Sequence, residues 1–382
     1  MNLAERADER FATNTTAAEG SRERFDVVVI GAGQAGLAIG YFLARERRRF
    51  LIVDGADSIG AAWRARWDSL TLFTPRRYDS LPGLEFPGDP DGYPTRDEVI
   101  EYLERYPETF ELPIELDTPV RSLAAEDERF VLQIDGSTLH ADQVIVATGP
   151  FQAPRVPGFA ADLAAEVFQA HSTGYSNPSD LPEGVVLVVG GGNTGYQIAQ
   201  ELSATHEVHL AVGSRQTPLP QRFLGRDLFW WLEKTGILHK TVDSRLGRRM
   251  RERDTLIGSS TRSVSRHGVK MKPRAVGVSE RTVTFADGST LDVDAVIWAT
   301  GYRLDHSWIH LPVADEAGAL RHRRGVSDVP GLYFLGLPWQ HTRGSALLGW
   351  VKDDAEFIAD EIDHARNDRT GLVREGELAH AN

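Results

Sequence analysis

The chain has 382 residues, of which 25% are charged and 9% are aromatic, a composition typical of globular proteins. Its formal net charge of −13 argues against a chain-wide nucleic-acid-binding surface. The absence of cysteine excludes disulfide scaffolds, thiolate metal sites, iron–sulfur clusters and cysteine nucleophiles.

The predicted elements follow a polar N-terminal stretch. Residues 1–24 have mixed charge and lack the order of a secretory signal, so we expect a disordered tail on a cytoplasmic protein. Helices are predicted over residues 35–48, 195–204 and 345–366. Apolar runs typical of strands buried on both faces lie at residues 27–30, 50–53, 144–147, 185–189, 208–212, 295–299 and 332–335.

One uncharged segment, residues 27–44, approaches the minimum length of a membrane-spanning helix. Four glycines lie within it, and each costs about 1 kcal/mol in the interior of a water-soluble helix. A β-branched run also stops sharply at Gly31. We therefore predict a buried strand, a glycine turn and a packed helix, without stable membrane insertion.

The chain contains a weak internal duplication. The sequence VVVIGAGQAG begins at Val27 and VLVVGGGNTG begins at Val186, and each half later has a strand that ends in Ala-Thr-Gly. The duplication predicts an α/β fold with two Rossmann-like dinucleotide-binding domains, the second inserted into the first. We expect the first domain over residues 25–155 and 300–382, and the second over residues 156–299.

The first glycine motif lies between a predicted strand and a predicted helix, which is the context that a dinucleotide site requires. Gly31 permits the tight turn, Gly33 admits a pyrophosphate and Gly36 lets the helix pack on the strand. The helix N-terminus favours phosphate binding. Asp54 ends the next strand, where an acceptor for ribose hydroxyls is expected. The alternative is a glycine turn without a ligand.

The second glycine motif consists of Gly190, Gly192 and Gly195. The strand after it ends without a carboxylate, and Arg215 follows, which favours the 2′-phosphate of NADPH over NADH. Residues 214–274 hold 15 Lys/Arg against 5 Asp/Glu, a patch that attracts anions or is simply a solvated surface. Asn193 and Thr194 are predicted cofactor contacts, with helix capping as the alternative for Asn193.

Two adjacent nucleotide sites suggest hydride transfer from a nicotinamide to a flavin. The absence of cysteine excludes the redox cysteine pair of the two-domain disulfide reductases. The reduced flavin must therefore pass its electrons to oxygen, to a quinone or to another protein.

Five longer segments carry a more specific signal: residues 59–64 (IGAAWR), 67–75 (WDSLTLFTP), 93–97 (YPTRD), 147–152 (ATGPFQ) and 336–344 (GLPWQHTRG). Over residues 25–360 the chain resembles the flavin-containing monooxygenases, nearest to bacterial members and more distantly to plant YUCCA-type enzymes. The resemblance implies FAD and NADPH as cofactors. It also implies a C4a-peroxyflavin that transfers oxygen from O2 to a soft nitrogen or sulfur nucleophile of a small molecule.

The chain departs from the family pattern at three places, the first of which is Gly60-Ala61, where the family usually carries paired glycines. In the fingerprint of Baeyer–Villiger enzymes, His171 and Tyr175 keep the last spacing, but Ala165 and Val167 replace the first aromatic residue and the glycine, which argues against that activity. The flavin domain of the family commonly ends in Gly-Asp. Here Leu337 follows the glycine, so no aspartate contact to the flavin ribitol is expected at that point.

The resemblance also implies roles for single residues. Trp63 and Arg64 would cover the FAD diphosphate and ring system, with a core position as the alternative for Trp63, and Thr74 would line the ring edge. Gln152 would hydrogen-bond near the flavin or nicotinamide, or order its own loop. The remaining predicted cofactor contacts are Val120, Gly149, Gly301, Gly336, Leu337 and Ser345, and the catalytic candidates are Gln152, Asn193 and His171.

Other outcomes stay open at this point. The protein is expected to be a monooxygenase, but an NAD(P)H-driven reductase or oxidase that passes electrons to quinone or oxygen is an alternative. A non-enzymatic redox-sensing partner of a transport system is another. No histidine–carboxylate spacing resembles a metal site, so we expect no metal. A homodimer is compatible with the sequence.

Overall fold

The computed structural model describes residues 23–127, 129–214, 216–252 and 255–379, with side chains from residue 24 to residue 365. Residues 1–22 of the predicted tail and Arg215 lie outside this part of the chain.

The helices are α1 (Gln34–Arg45), α2 (Ala61–Arg64), α3 (Arg96–Phe110), α4 (Asn193–Leu202), α5 (Leu228–Lys234), α6 (Arg245–Arg251), α7 (Thr261–Arg266) and α8 (Val351–Ala379). The strands are β1 (Glu23–Ile30), β2 (Phe50–Val53), β3 (Ile114–Glu115), β4 (Val120–Glu126), β5 (Arg129–Ile134), β6 (Ser137–Val146), β7 (Ala153–Pro154), β8 (Phe168–His171), β9 (Val185–Val189), β10 (Glu207–Ala211), β11 (Thr217–Leu219), β12 (Arg222–Phe223), β13 (Arg226–Asp227), β14 (Thr255–Ile257), β15 (Lys270–Lys272), β16 (Ala275–Ser279), β17 (Thr282–Phe285), β18 (Thr290–Asp292), β19 (Ala295–Trp298), β20 (Tyr302–Arg303), β21 (His322–Arg323), β22 (Val326–Ser327) and β23 (Leu332–Phe334).

In the first sheet, β1 lies between β6 and β2. The strand order is β21-β22-β23-β6-β1-β2-β3, and β5 pairs with β6 and β4. β1 is parallel to both neighbours, so Ile30, Val53 and Val146 end level with one another. The chain segments that follow β1, β2, β6 and β23 therefore leave the sheet at one edge, where nucleotides bind in such folds.

Apolar side chains cover both faces of this sheet because its strands alternate their side chains between the two faces. Val27 and Val29 of β1 pack under α1, α3 and α8. Val28 and Ile30 pack on the other face with β4, β5 and residues 308–320. The burial of both faces explains why the strands read as continuous apolar runs in the sequence.

The second sheet is formed by residues inserted between β6 and β21. Its order is β15-β10-β9-β19-β8, and every pair in it is parallel. Val189 lies level with Ala211 and Trp298. The two sheets confirm the predicted α/β fold with two Rossmann-like domains, the second inserted into the first. The residue boundaries of the domains stay a prediction.

Two chain segments cross between the sheets. One follows β6 and contains β7, and the other follows β19 and contains β20. β7 and β20 pair antiparallel, with Tyr302 opposite Pro154 and Arg303 opposite Ala153. Each segment starts at the carboxyl end of its own sheet. This two-stranded ribbon therefore holds the carboxyl edges of both sheets beside each other.

The uncharged segment of residues 27–44 divides as predicted. β1 ends at Ile30, the glycine turn follows, and α1 begins at Gln34. Within residues 23–379, apart from the gaps given above, no helix is long and apolar enough to cross a membrane.

The last helix begins later than predicted. A short 3-10 turn spans Arg343–Ala346, Leu347 is extended (φ −84°, ψ 145°), and α8 begins only at Val351. Gly349 packs on the backbone of Tyr78, where a Cβ on the glycine would lie 1.5 Å from the carbonyl oxygen. The predicted helix is present, but its predicted start at residue 345 is wrong, because the chain meets a distant backbone segment before the helix begins.

Candidate functional site

The first glycine motif forms a cradle lined by backbone. A Cβ on Gly31 (φ +110°) would lie 2.6 Å from the carbonyl oxygen of Ala147, and one on Gly36 would lie 1.8 Å from that of Gly31. A Cβ on Gly33 would meet no atom within 4 Å. Gly33 is the N-cap of α1, and no side chain caps that helix. The open space beside Gly33, at an uncapped helix N-terminus, fits the pyrophosphate of a dinucleotide.

The second glycine motif repeats this geometry after β9. A Cβ on Gly190 (φ +142°) would lie 2.0 Å from the carbonyl oxygen of Ala299, and one on Gly195 would lie 2.1 Å from that of Gly190. Gly192 again has open space, and it precedes α4, which also lacks a side-chain cap. The duplication of the sequence is thus a duplication of the cradle, and the second cradle fits a second dinucleotide.

Asp54 lies beside the first cradle, at the end of β2. Its carboxylate accepts the backbone N–H of Ala32 at 2.6 Å and that of Ala56 at 2.8 Å. Ala32 belongs to the glycine motif, so the first bond ties β2 to the cradle. A carboxylate oxygen accepts more than one hydrogen bond, which leaves Asp54 able to accept a ribose hydroxyl. The predicted contact Val120 begins β4 close by, because Thr118 donates its N–H to the carbonyl of Asp54 at 2.8 Å.

Three more predicted cofactor contacts lie at this edge of the first sheet. Gly149 (φ +70°) follows β6, and a Cβ on it would meet no atom within 4 Å. Gly336 (φ +82°) follows β23 and packs on α1, where its Cβ would lie 2.8 Å from that of Ala35. Leu337, next in the chain, is buried. β23, β6 and β1 are neighbours, so these residues meet beside the first cradle.

Ser345 orders the loop that leads to α8. It is buried, and its hydroxyl accepts the N–H groups of His341 and Thr342 at 3.0 Å each. The Gln34 amide of α1 donates to the carbonyl of Ala346 at 2.9 Å. These bonds hold the loop over the start of α1, and the contact of Ser345 with the cofactor stays a prediction.

Helix α2 carries the predicted contacts Trp63 and Arg64. Trp63 is half-buried and packs against the core under α1, which is the alternative predicted for it. Arg64 is exposed and forms an ion pair with Glu104 of α3. In this structure Arg64 therefore binds α3.

Thr74 contacts a buried carboxyl group that the sequence analysis missed. The Thr74 hydroxyl donates to Oδ1 of Asp79 at 2.6 Å, and both residues are buried. Oδ2 of Asp79 has no hydrogen-bond partner within the described residues. Burial raises the pKa of Asp79 to about 8, although the Thr74 hydrogen bond and the charge of Arg76 oppose the change. No local sequence pattern indicates that Asp79 is buried, because its burial depends on the approach of Gly349, which lies far away in the chain.

The raised pKa of Asp79 predicts a pH dependence of stability. Folding raises this pKa from 3.8 to about 8, so the folded state binds the proton more tightly than the unfolded state does. The proton on Asp79 therefore contributes to the free energy of unfolding fully below about pH 4. Between about pH 4 and pH 8 this contribution decreases by about 1.4 kcal/mol for each pH unit. Asp79→Asn keeps an acceptor for Thr74 and cannot ionise. We therefore expect the free energy of unfolding of this variant to increase relative to that of the wild type as pH rises. Urea midpoints at several pH values between 5 and 8 (about half a unit apart) test this, and parallel curves for the two proteins would contradict it.

Asn193 is the first residue of α4. Its side-chain oxygen accepts the N–H of Ile257 at 3.0 Å, which ties α4 to β14. The alternative prediction, that Asn193 caps the helix, is wrong because Gly192 occupies the N-cap position. Thr194 follows in the first turn and is partly buried. Both residues therefore lie at the second cradle.

The end of β10 brings together groups suited to a coenzyme phosphate. Arg274 follows β15, which neighbours β10, and donates to the carbonyl of Gly213 at 2.8 Å. The side chain of Gln216 lies against Gly191 of the glycine motif, 2.8 Å from the position of a Cβ there. Arg274 thus reaches the edge at which Arg215 was predicted. The sequence alone does not distinguish Arg274 from the many other basic residues of this segment, because only the strand order places it at this edge.

His171 ends β8, and both of its ring nitrogens have partners. Nε2 donates to the carbonyl of Gly301 at 3.0 Å, and Nδ1 accepts from the hydroxyl of Thr173 at 2.8 Å. This assignment of the proton to Nε2 follows from the partners. Burial lowers the pKa of His171, which favours the neutral ring. These contacts show that His171 holds Gly301 in place, in the segment between β19 and β20.

Gln152 joins the two crossing segments. Its amide nitrogen donates to the hydroxyl of Thr148 at 2.8 Å and to the carbonyl of Gly149 at 2.9 Å. Its oxygen accepts the N–H of Asp305 at 2.5 Å. These bonds correspond to the loop-ordering alternative that was predicted for this residue.

An aromatic cluster lies where the two domains meet, next to Thr74. We use this name for Phe73, Tyr78, Phe229 and Trp350. Phe73 stacks on Phe229 with ring centroids 5.9 Å apart, and Tyr78 stacks on Trp350 at 5.7 Å. Phe229, from the inserted domain, also lies 5.6 Å from Trp350. The cluster buries Phe229 and Trp350 and packs the two domains against each other.

Comparison with known proteins identifies the family. Residues 28–225, more than half of the chain, match the pyridine nucleotide-disulphide oxidoreductases. The uncharacterized oxidoreductase CzcO-like of Geobacillus kaustophilus is 49% identical over 88% of this chain and 98% of that protein. The flavin-containing monooxygenase of Stenotrophomonas maltophilia is 30% identical, with a TM-score of 0.76 over 90% of this chain and 99% of that one. The chain belongs to the flavin-containing monooxygenase family.

Membership of the flavin-containing monooxygenases confirms the predicted oxidoreductase class and its cofactors, FAD and NADP. The predicted relation to plant enzymes is confirmed as well. The probable indole-3-pyruvate monooxygenase YUCCA7 of Arabidopsis thaliana is 27% identical over 90% of this chain and 88% of that protein. The matched oxidoreductase family is named for disulfides, but this chain has no cysteine with which to exchange one.

Proposed function

We infer that this flavin-containing monooxygenase uses NADPH to reduce FAD and then oxygenates a soft nitrogen or sulfur nucleophile of a small molecule. The observation that carries the inference is the ribbon of β7 and β20, which joins the carboxyl edges of the two sheets. Hydride transfer requires the nicotinamide and the flavin to meet. When bound, reduced FAD would supply the electrons that activate O2 for the oxygen transfer that the family resemblance implies.

The residues around the first cradle suit FAD. Gly33 and the N-terminus of α1 would hold the pyrophosphate, and Asp54 would accept a ribose hydroxyl. Thr74 and the loop after Gly336 would line the ring, on the side closed by the aromatic cluster. Exclusion of water by that cluster is what oxygen transfer needs, because water otherwise diverts the reduced flavin and oxygen to hydrogen peroxide.

The residues around the second cradle suit NADPH. Gly192 and the N-terminus of α4 would hold its pyrophosphate, with Asn193 and Thr194 beside it. We assign His171 and Gln152 positioning roles, because hydrogen bonds to the chain occupy both ring nitrogens of His171 and both ends of the Gln152 amide. Proton transfer by either would first require the loss of these bonds.

The decisive experiment is anaerobic reduction by NADPH, followed by rapid mixing with oxygen in the presence of NADP⁺. A transient absorbance of a flavin C4a adduct before reoxidation supports the monooxygenase. Reoxidation in one step, with stoichiometric hydrogen peroxide for every substrate tried, supports the oxidase alternative. Fast reduction of a quinone by the NADPH-reduced enzyme supports the reductase.

Coenzyme choice is a second test of the proposed nicotinamide site. A guanidinium at the end of β10 matches a 2′-phosphate, and no carboxylate ends that strand to bind the ribose of NADH. We expect Arg274→Ala and Arg215→Ala each to raise the KM for NADPH by about tenfold, with little change for NADH. Steady-state flavin reduction at fixed ionic strength measures this.

Arg262→Gln, on the exposed face of α7 in the same basic segment, is the control for net charge. Its KM for NADPH should stay near the wild-type value. Equal losses for both coenzymes would show that neither arginine contacts the 2′-phosphate. A wild type that prefers NADH would refute the choice of NADPH.

A further inference from the structure

A cleft lies between the two domains, beside the aromatic cluster. It holds about 400 Å³ of empty space, a figure that includes the part open to solvent. The first domain contributes Pro75, Arg77, Tyr78 and Asp91 to its lining, and the inserted domain contributes Arg222, Gly225, Arg226, Asp227 and Trp230. Neither glycine motif contributes a residue to its lining.

The two carboxylates of the cleft are already engaged. Asp91 forms an ion pair with Arg77 at 2.7 Å. Asp227 accepts the Tyr93 hydroxyl at 2.7 Å, and it also accepts the Gln221 amide at 2.9 Å and the N–H of residue 229 at 2.7 Å. The charge of Asp91 is therefore balanced by Arg77, and Asp227 serves to anchor the hairpin of β12 and β13.

Two arginines of the cleft have no such partner. Within the described residues, no carboxylate lies within ion-pair distance of Arg222 or Arg226. Arg222 donates only to the carbonyl of Gly225, at 3.3 Å, and the guanidinium of Arg226 lies 5.3 Å from the ring centre of Trp230. Both guanidinium groups keep unused donors, in a planar geometry that matches a carboxylate.

The hairpin that carries these arginines is held in place. Gly225 (φ +76°) forms its turn, and the indole N–H of Trp231 donates to the carbonyl of Phe223 at 2.9 Å. On the opposite wall, Tyr78 belongs to the aromatic cluster, and Pro75 directly follows Thr74. The cleft thus opens to solvent at two arginines and adjoins the proposed flavin pocket at its inner wall.

We propose that this cleft binds the carboxylate of the small-molecule substrate through Arg222 and Arg226. That the ligand is the substrate rests on the proposed function, whereas the anion site itself does not. The unpaired arginines favour a ligand with negative charge, and the lining residue Pro75, which follows Thr74 in the chain, places the cleft beside the proposed flavin pocket. The substrate class is therefore a soft nucleophile that also carries a carboxylate.

The test uses benzoate as the anionic probe and benzamide as its neutral analogue, titrated calorimetrically into the FAD-loaded protein. We expect the wild type to bind benzoate more tightly than benzamide. The double variant Arg222→Gln/Arg226→Gln should bind benzoate about tenfold more weakly or worse, the effect of a lost charge-assisted hydrogen bond, with benzamide unchanged. Arg262→Gln is the matched control and should bind both probes like the wild type. If the double variant loses FAD or fails to fold, the two single variants are compared instead.

A repeat of the titration with saturating NADP⁺ separates this site from the coenzyme site. Retained benzoate affinity supports the proposal, and displacement by NADP⁺ overturns it. Equal affinity of the wild type for the two probes, or an equal loss in Arg262→Gln, also overturns it. Binding requires no turnover, so absence of a flavin adduct in the oxygen experiment would refute the monooxygenase and leave this result intact. Conversely, failure of benzoate to bind would leave the proposed oxygen chemistry untouched.

Discussion

Gly33→Val will give a folded protein that contains no FAD. The backbone at Gly33 (φ −75°, ψ −174°) is extended, a conformation that valine adopts readily, and no atom lies within 4 Å of the new Cβ. The chain therefore tolerates the side chain, but its methyl groups occupy the space of the pyrophosphate. We expect at least a hundredfold loss of FAD affinity, about 2.8 kcal/mol. The ratio of flavin to protein absorbance in the purified variant, with circular dichroism to verify folding, measures this.

Gly36→Val provides the contrast for this prediction. A Cβ at Gly36 would lie 1.8 Å from the carbonyl oxygen of Gly31, so this variant should lose stability as well as FAD. Gly33→Val should unfold at a temperature close to that of the wild-type apoprotein, whereas Gly36→Val should unfold at a much lower temperature. A yellow Gly33→Val protein with full flavin occupancy would mean that FAD does not bind at this cradle.

Gly192→Val will keep FAD and lose its reduction by NADPH. The backbone there is also extended (φ −81°, ψ 175°), and no atom lies within 4 Å of a Cβ. The side chain would fill the second cradle and leave the first unchanged. We expect anaerobic reduction by NADPH at limiting coenzyme to be at least a hundredfold slower, about 2.8 kcal/mol in transition-state binding.

Dithionite distinguishes this effect from damage to the flavin site, because it reduces a flavin without binding at the second cradle. The Gly192→Val variant should be reduced by dithionite as fast as the wild type. Normal reduction by NADPH would place the nicotinamide elsewhere. Loss of FAD from Gly192→Val would show that the two cradles are not independent.

Together the two valine variants assign one cofactor to each half of the duplicated chain. They differ only in which cradle is filled, since each substitution adds the same side chain in the same backbone conformation. The yellow colour reports the first cradle, and the response to NADPH reports the second. Reversed phenotypes would exchange the two cofactor assignments.

The sequence by itself predicted the two cradles, because a part of their geometry is local. A Cβ on Gly36 or Gly195 would meet the carbonyl oxygen of the first glycine of its own turn, and this requirement is visible as G-x-G-x-x-G. The close approach of Gly31 to Ala147 and of Gly190 to Ala299 depends on the neighbouring strand. The buried parallel strands are visible as apolar runs, and Asp54 is visible as the residue that ends the next strand. The longer segments, residues 59–64 and 67–75 among them, carried the resemblance to the family.

Tertiary structure alone decided which other side chains belong to the sites. Asp79 is buried because Gly349 packs on the chain beside it, and Arg274 reaches the coenzyme edge because β15 pairs with β10. Arg222 and Arg226 face Tyr78 only because the inserted domain folds back on the first. Burial, strand order and the pairing of charges depend on contacts between residues far apart in the chain. A local sequence pattern therefore does not predict these contacts.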